Sequence, residues 1–387
     1  MGRFRDALSA PGLSAIAEVK RRSPSSGALR PDADPAALAA AFERSGAAAV
    51  SILVDERFAG SVDDLRAARA TTGLPLLAKG FFSTREELGE LREAGADAVL
   101  LLLRDLDDPA VLKLLRATRE LELDALVEAH AAEELERAVR LDAETIGINA
   151  RDLATFEIDR RAQLALVAKA PRDRVVVAES GIASRAQGAA AELAGADAIL
   201  VGSALMRSSD PPGTLGELIS RPLVKVCGLT REEDVAAAAA AGADLAGFIR
   251  VDGSPRRADG VLPVPDEMLS VSVHVDEPRD EGADLVQLYD QDDNGRLRGR
   301  DAALLRDGEP VARVLDLPWE EEDPGHLARA GAADGRVVLA GRLGPDNVRA
   351  AIDAVHPWAV DAASRLESEP GIKNHAKVRA FVEAARC

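Results

Sequence analysis

The chain has 387 residues, long for one domain and comfortable for two, because single hydrophobic cores stop growing at roughly 250 to 300 residues. Hydrophobic residues make up 47% of it but aromatics only 3%, so its cores are built from Ala, Val, Leu and Ile, which suits layered β/α packing. A net charge of -18, with Lys and Arg spread thinly, speaks against nucleic acid as a partner and leaves an anionic small substrate to be held by short local motifs.

Four copies of one phrase organise the chain: 44–53 (RSGAAAVSIL), 94–103 (AGADAVLLLL), 194–203 (AGADAILVGS) and 241–250 (AGADLAGFIR). Each runs from an Ala-rich helical pattern, through a Gly suited to a left-handed helix end, into a short apolar run, which predicts helix, turn and buried strand. In chain order, strands are expected at 15–20, 48–54, 75–79, 98–103, 124–128, 145–149, 174–179 and 198–202, with helices between them. Eight such units predict an α/β fold of the (β/α)8 TIM-barrel type, since parallel strands covered on both faces read as unbroken apolar runs; a doubly wound open sheet is the alternative. The breaker cluster Ser208, Ser209, Asp210, Pro211, Pro212 and Gly213 sets a domain boundary within 208–221, giving domains 1–212 and 222–387. In the second domain strands are expected at 223–227, 244–249, 270–275, 284–288, 310–315, 336–340 and 358–361. Seven strands predict a second, shortened TIM barrel in tandem, with one strand missing or unrecognised.

In such barrels the working residues sit where strands run into the following loops. In the first half Glu18, Lys20, Lys79, Glu128, Asn149 and Glu179 with Ser180 fall at the C-terminal ends of five different predicted strands. Chance could set one or two polar groups on a solvated rim, but charged strand ends all aimed at one mouth would be unfavourably desolvated without a ligand. Gly181 and Gly202 are, singly, ordinary turn glycines. As a pair after the seventh and eighth strands they favour phosphate, because glycine lets backbone N–H groups approach an anion.

Through these residues the first half resembles the indole-3-glycerol phosphate synthases, in the segments 17–27 (AEVKRRSPSSG), 77–81 (LAKGF), 126–130 (LVEAH), 146–153 (IGINARDL), 178–182 (AESGI) and 199–207 (ILVGSALMR), six motifs in order. The resemblance implies closure of 1-(2-carboxyphenylamino)-1-deoxyribulose 5-phosphate to an indole, with loss of carbon dioxide and water and with no metal or organic cofactor. By similarity Lys79 is the general acid, Lys20 holds the departing carboxylate, and Glu128 with Glu18 handles protons and stabilises cationic intermediates, although other allocations of the lysines and glutamates among the steps stay open. It further implies that Asn149, Arg151 and Ser180 position the sugar and the ring, that Phe81 walls the aromatic pocket, and that Glu179 lines the substrate site. Phosphate would rest on Ser23, on N–H groups at Ser180 and Gly181, and on Gly202 and Ser203. Two departures stand out: Gly80 occupies the place of a family Asp, removing a possible partner of Lys79, and only 4–8 remain of a longer N-terminal helical extension.

The second half resembles the phosphoribosylanthranilate isomerases, through 224–230 (VKVCGLT), 247–257 (GFIRVDGSPRR), 286–289 (VQLY), 339–348 (LAGRLGPDNV) and 359–373 (AVDAASRLESEPGIK). That implies an Amadori rearrangement of an aminoaldose to an aminoketose, with Cys227 as the base, Asp316 in 314–318 (VLDLP) as the acid and Arg256 as the binder of the anthranilate carboxylate. Here the departures are more numerous: WEEED at 319–323 replaces a Gly-rich loop, Tyr289-Asp290 replaces His-Gly, Gly341-Arg342 replaces a paired glycine, Ala362-Ala363-Ser364 replaces Ser-Ser-Gly, and the helices after strands two and three are trimmed. Arg342 and Arg365 where glycines are expected block close backbone approach to a phosphate while offering it a side chain. A bifunctional enzyme and a synthase carrying a structural or interaction barrel are both compatible with these features, and a non-catalytic binder of phosphorylated metabolites is a third reading.

His130, His274, His326, His356 and His375 lack metal-ligand spacing and read as structural or surface residues, while the acidic runs 290–293 and 320–323 read as solvated loops. Cys227 and Cys387 have no disulfide or zinc spacing, which fits a reduced cytoplasmic compartment. The first twelve residues carry no apolar signal-peptide core, and no apolar run is long enough to span a bilayer. The partners expected are therefore small phosphorylated substrates, not nucleic acid or membrane, with the oligomeric state left open.

Overall fold

The computed structural model describes residues 2–23, 27–152, 155–279, 282–291, 297–317 and 323–386. Cys387 and the positions 292–293 and 320–322 of the two acidic runs lie outside the described residues. The chain divides into two compact units, Met1–Ala183 with Gly188–Ile219, and Ser184–Gln187 with Ser220–Cys387.

In the first unit eight strands, β1 (Ser14–Val19), β2 (Ala49–Leu53), β3 (Leu76–Lys79), β4 (Ala98–Leu102), β5 (Asp124–Ala129), β6 (Thr145–Asn149), β7 (Val175–Glu179) and β8 (Ala198–Val201), form a closed barrel. Every neighbouring pair is parallel, and the barrel closes through β1, where Ala17 stands opposite Val50 on one side and Val201 on the other. Alternate residues of each strand feed two apolar layers. Ile16, Leu77, Leu126, Val177 and Leu200 fill the interior, while Val50, Ala78, Val99, Val127 and Ile146 pack beneath the helices. Burial on both faces is why these strands carry unbroken apolar runs. The glycines of the four repeated phrases, Gly46, Gly95, Gly195 and Gly242, all take the left-handed conformation expected where a helix turns into a strand.

The 4–8 remnant is the helix Arg3–Leu8, whose Phe4 and Leu8 are fully buried in the interior cluster. Asp124, at the start of β5, accepts the N–H groups of Phe4 and Arg5 at 2.9 and 3.2 Å, satisfying donors that a helix start leaves open. The breaker cluster at 208–213 opens another helix, Pro211–Ile219, with Leu215 and Leu218 buried. Proline suits a first helical turn, and the Asp210 carboxylate accepts the Gly213 N–H at 3.1 Å.

The second unit also closes with eight strands: β9 (Leu223–Cys227), β10 (Leu245–Ile249), β11 (Leu269–Val275), β12 (Leu285–Gln291), β13 (Leu297–Arg306), β14 (Glu309–Leu315), β15 (Val337–Leu339) and β16 (Ala359–Ala362). The strand unrecognised in the sequence is β13, which runs antiparallel to both neighbours, so this barrel is mixed where the first is all parallel. Within β13 the buried Ala302 and Leu304 alternate with less buried residues, the period of two of an antiparallel strand covered on one face. Among the described residues no helix lies between β10 and β11 or between β11 and β12, which is the trimming expected there.

Candidate active sites

The first mouth follows from strand register. Residues two apart share a face of a strand, so the interior residues Ile16, Leu77, Leu126 and Val177 place Glu18, Lys79, Glu128 and Glu179 one layer higher inside the same barrel. Lys79 is the centre of that layer: its Nζ lies 2.6 Å from Glu179 Oε2, 3.5 Å from Glu18 Oε2 and 3.7 Å from Glu128 Oε2. Lys20, two residues beyond Glu18, pairs with Glu18 Oε1. Asn149 Nδ2 donates to Glu128 Oε1 at 3.1 Å, and the Asn149 side-chain oxygen accepts the Arg151 N–H at 2.9 Å.

Three buried carboxylates thus face two ammonium groups. Burial would push Glu18 up, but the Lys20 and Lys79 charges outweigh it and hold the carboxyl below its ordinary value. For Glu128, burial is outweighed by His130 and Lys79, and the carboxyl is held down to about 2. The surplus falls on Glu179, which burial and the Glu128 charge push up to about 8 against the pull of Lys79. Burial would lower Lys79, yet the Glu179, Glu18 and Glu128 charges together raise it, so it stands protonated. The layer therefore carries an ammonium and a protonated carboxyl beside ionised carboxylates, a set able to give and take protons. Among the described residues Glu128 Oε2 and Glu179 Oε1 are buried side-chain oxygens without a hydrogen-bond partner.

Two glycines make room for these carboxylates. A Cβ at Gly147 would lie 2.1 Å from Glu179 Oε1, and one at Gly202 would lie 2.3 Å from Glu18 Oε1. After β7, Ser180 and Gly181 are consecutive left-handed residues, with φ of 69° and 72°; a serine held there is strained backbone of the kind that collects at functional turns. Gly202 precedes the short helix Ser203–Arg207. Ser23, in the hairpin Arg22–Ser23 with Gly27–Ala28, is buried. Phe81 is 38% exposed and stacks on Phe58 with centroids 6.4 Å apart, and the Arg57 guanidinium lies 3.7 Å over its ring. At Gly80 a Cβ would meet the Phe82 ring at 2.9 Å, so that space is filled by an aromatic side chain, while Lys79 draws its partners from β1, β5 and β7.

In the second barrel the same register places Cys227, Gln287, Tyr289, Asp316, Ala340 and Asp361 around a cavity of about 350 Å³. Cys227 and Asp316 line one mouth. Lys225 Nζ, below Cys227 on β9, reaches Gln287 Oε1 and Asp361 Oδ2, both at 2.7 Å. Gln287 Nε2 donates to the Tyr289 hydroxyl at 2.8 Å, and that hydroxyl donates to Asp316 Oδ2 at 3.0 Å. Burial, then the Asp361 charge, raise Asp316 above its ordinary value, which favours a carboxyl that keeps its proton. Burial also raises the Cys227 thiol, with Lys225 pulling the other way.

Arg256 is held by Glu367, its Nε 2.9 and 3.0 Å from the two carboxylate oxygens, and is not among the described residues lining the cavity. Lys373 Nζ also reaches Glu367, at 3.0 Å. Arg342 lines the cavity and, with φ of 59° after Gly341 at 91°, keeps a left-handed backbone in spite of its side chain. Arg365 is turned to Asp346, at 2.8 Å, and to the Arg342 carbonyl, at 3.0 Å.

The sequence model described as indole-3-glycerol phosphate synthase matches residues 2–218, more than half of the chain. The chain belongs to the indole-3-glycerol phosphate synthase family. Relatives bearing that name include one from Mycobacterium avium (strain 104), 45% identical over 215 residues, which are 55% of this chain and 79% of that protein. Another, from Micrococcus luteus, is 48% identical over 205 residues, 53% of this chain and 76% of that protein. A second model, described as N-(5'phosphoribosyl)anthranilate (PRA) isomerase, matches residues 323–384 and so takes in β15 and β16 but neither Cys227 nor Asp316. Among solved structures, TrpF from Jonesia denitrificans is 29% identical and covers 43% of this chain and 97% of its own, with a TM-score of 0.35. Phosphoribosyl anthranilate isomerase from Thermus thermophilus is 27% identical over 42% of this chain and 97% of its own, with a TM-score of 0.34. No helix among the described residues is long and apolar enough to cross a membrane.

In this synthase-family barrel the structure gathers Glu18, Lys20, Lys79, Glu128, Asn149 and Glu179 into one linked set, and leaves Phe81 in a separate aromatic contact. His130, expected from the sequence to be a structural or surface residue, joins the first mouth, with its Nε2 3.1 Å from Glu128 Oε1. Phe58, Arg57 and Gly147 around the first mouth, and Tyr289 as a partner of Asp316 in the second, are further site residues that no sequence motif singles out. The available signal was spacing: His130 stands two residues beyond Glu128, as Lys20 stands two beyond Glu18.

Proposed function

We propose that the first barrel acts as an indole-3-glycerol phosphate synthase. It would close 1-(2-carboxyphenylamino)-1-deoxyribulose 5-phosphate to the indole, releasing carbon dioxide and water. The observation that carries this is the ammonium of Lys79 among three buried carboxylates at the mouth of a parallel barrel. Lys79, the raised ammonium, protonates the ketone oxygen as the ring carbon bonds to the ketone carbon. Lys20 holds the carboxylate until it leaves as carbon dioxide, with its bond electrons returned to the ring. Departure of the hydroxyl as water then requires a proton on that oxygen and the loss of one from the neighbouring carbon. Glu128, kept ionised, is suited to take the second, while Glu18 stabilises the cationic intermediate and Glu179 carries an exchangeable proton. Asn149, Arg151 and Ser180 position the sugar and ring, Phe81 walls the aromatic end, and Ser23, Gly181, Gly202 and Ser203 receive the phosphate. The test is indole formation by the full chain: Lys79→Ala should lower kcat by about a thousandfold while the fold is retained, within the range for loss of a general acid. A rate unchanged in Lys79→Ala sinks these assignments.

For the second barrel we infer isomerisation of phosphoribosylanthranilate, with Cys227 as base and Asp316 as acid. What supports it is that both line one cavity of about 350 Å³, one group suited to hold a proton and the other a thiol beside the Lys225 ammonium. Arg256 would serve the substrate carboxylate only after exchanging its Glu367 partner. Isomerase turnover that survives Cys227→Ala removes Cys227 as the base, and a wild-type chain without isomerase turnover leaves the second barrel a structural or interaction module. A cytoplasmic setting and small phosphorylated partners, without nucleic acid, complete the proposal.

A further inference from the structure

We propose that His130 is a positioning residue for Glu128: its ring fixes one oxygen of the carboxylate so that the other is presented to Lys79, and Glu134 anchors the ring from outside. The proposal rests on the synthase reading of the first barrel and extends it to a histidine that lies beyond the linked carboxylate and lysine set.

The two oxygens of Glu128 have different surroundings. Oε1 faces His130 Nε2 at 3.1 Å and accepts the Asn149 amide at 3.1 Å. Oε2 faces Lys79 at 3.7 Å and is buried without a hydrogen-bond partner among the described residues. Nε2 is close to Oε1 but makes no hydrogen bond to it, so what the ring offers this side of the carboxylate is the charge it carries when protonated. On its far side, Nδ1 lies 3.4 Å from Glu134 Oε2.

Glu134 has a structural duty of its own, accepting the His130 backbone N–H at 2.7 Å at the start of the helix Ala132–Arg140. That duty needs only a backbone N–H at position 130, not an imidazole. What requires the ring is the contact with Glu128. The charges acting on the ring come from Glu128 at the end of β5, which stops one residue before His130, and from Glu134 on the next helix; burial alone would lower its pKa, and the two carboxylates outweigh burial and raise it. A cation on the Oε1 side keeps Glu128 ionised without competing for the oxygen that faces the reaction.

The experiment is the pH profile of indole formation by the full chain carrying His130→Asn, which retains an N–H donor but no charge. The expected result is a kcat lower by about tenfold with little change in KM, and an acid limb of kcat/KM displaced upward by about one pH unit, since Glu128 is easier to protonate without the cation. In His130→Gly, added imidazole should restore part of the rate, which a purely structural role would not allow. A folded His130→Asn with wild-type kcat and an unmoved acid limb overturns the proposal. Titration of carbon-13-labelled histidine reads the ring independently of turnover. The His130 signal is expected above the ordinary 6.5 in the wild type and to fall in Glu128→Gln, and a ring at its ordinary value in both proteins also overturns the proposal. A wild-type chain that forms no indole refutes the synthase reading, while the titration still decides whether the ring pairs with Glu128.

Discussion

The two mouths are set by the same strand register and filled in opposite ways. In the first barrel the layer above the apolar interior is packed with charge, three carboxylates paired around Lys79. In the second that layer surrounds an open cavity of about 350 Å³, and its polar groups are strung along the wall from Lys225 through Gln287 and Tyr289 to Asp316. The first barrel keeps small residues wherever a carboxylate needs room, at Gly147 and Gly202. The second keeps the left-handed turn at 342 but places an arginine in it. Register therefore decides where chemical groups can stand, and the turns and small residues around them decide what can approach.

The sharpest way to break the comparison is to remove that room. Gly147→Val sets a Cβ 2.1 Å from Glu179 Oε1 and must displace the carboxylate. Indole formation should fall about a hundredfold, as misplacement by an ångström can cost that much. Stability should fall by about 1 to 3 kcal/mol from overpacking, measured by urea unfolding. Isomerase turnover should be untouched.

A pH titration of stability sharpens the electrostatic half. Glu179 rises from an ordinary 4.5 to about 8. Between those values the folded protein keeps a proton that the unfolded chain has lost, so this group makes stability fall as pH rises through the window. Glu179→Gln should flatten the unfolding midpoint across that range, and an unaltered slope would show that Glu179 is ionised in the fold.

In the second barrel Tyr289→Phe deletes the hydroxyl on Asp316 and leaves a largely buried carboxyl short of a partner. Stability should drop by about 1 kcal/mol, and isomerase kcat by a few fold. The smallest effect is expected at Arg342, where Arg342→Gly relieves a left-handed side chain at φ 59° and should stabilise by up to about 1 kcal/mol. If backbone approach at that turn limits phosphate binding, the same variant lowers the isomerase KM.

Much of this was legible in the sequence because parallel strands buried on both faces leave unbroken apolar runs, and because a Gly in the left-handed conformation marks each repeated helix end. β13 was not legible. It runs antiparallel, and from Asp301 to Arg306 buried residues alternate with less buried ones, so no unbroken apolar run marks it. The charged strand ends of the first mouth could be read one by one, but their pairing could not, since Lys79 and Glu179 are brought to 2.6 Å by barrel closure alone. His130 reads from the sequence as a structural or surface residue, because spacing alone does not say that the chain just past the end of β5 stays extended and turns the ring back to Glu128.

The most direct test of two independent sites on one chain is a crossed inactivation. Lys79→Ala and Cys227→Ala, each in the full chain, are assayed separately with 1-(2-carboxyphenylamino)-1-deoxyribulose 5-phosphate for indole formation and with phosphoribosylanthranilate for isomerisation. The expected result is that Lys79→Ala loses only the first activity and Cys227→Ala only the second. Indole formation that persists in Lys79→Ala, or that disappears in a folded Cys227→Ala, would contradict it.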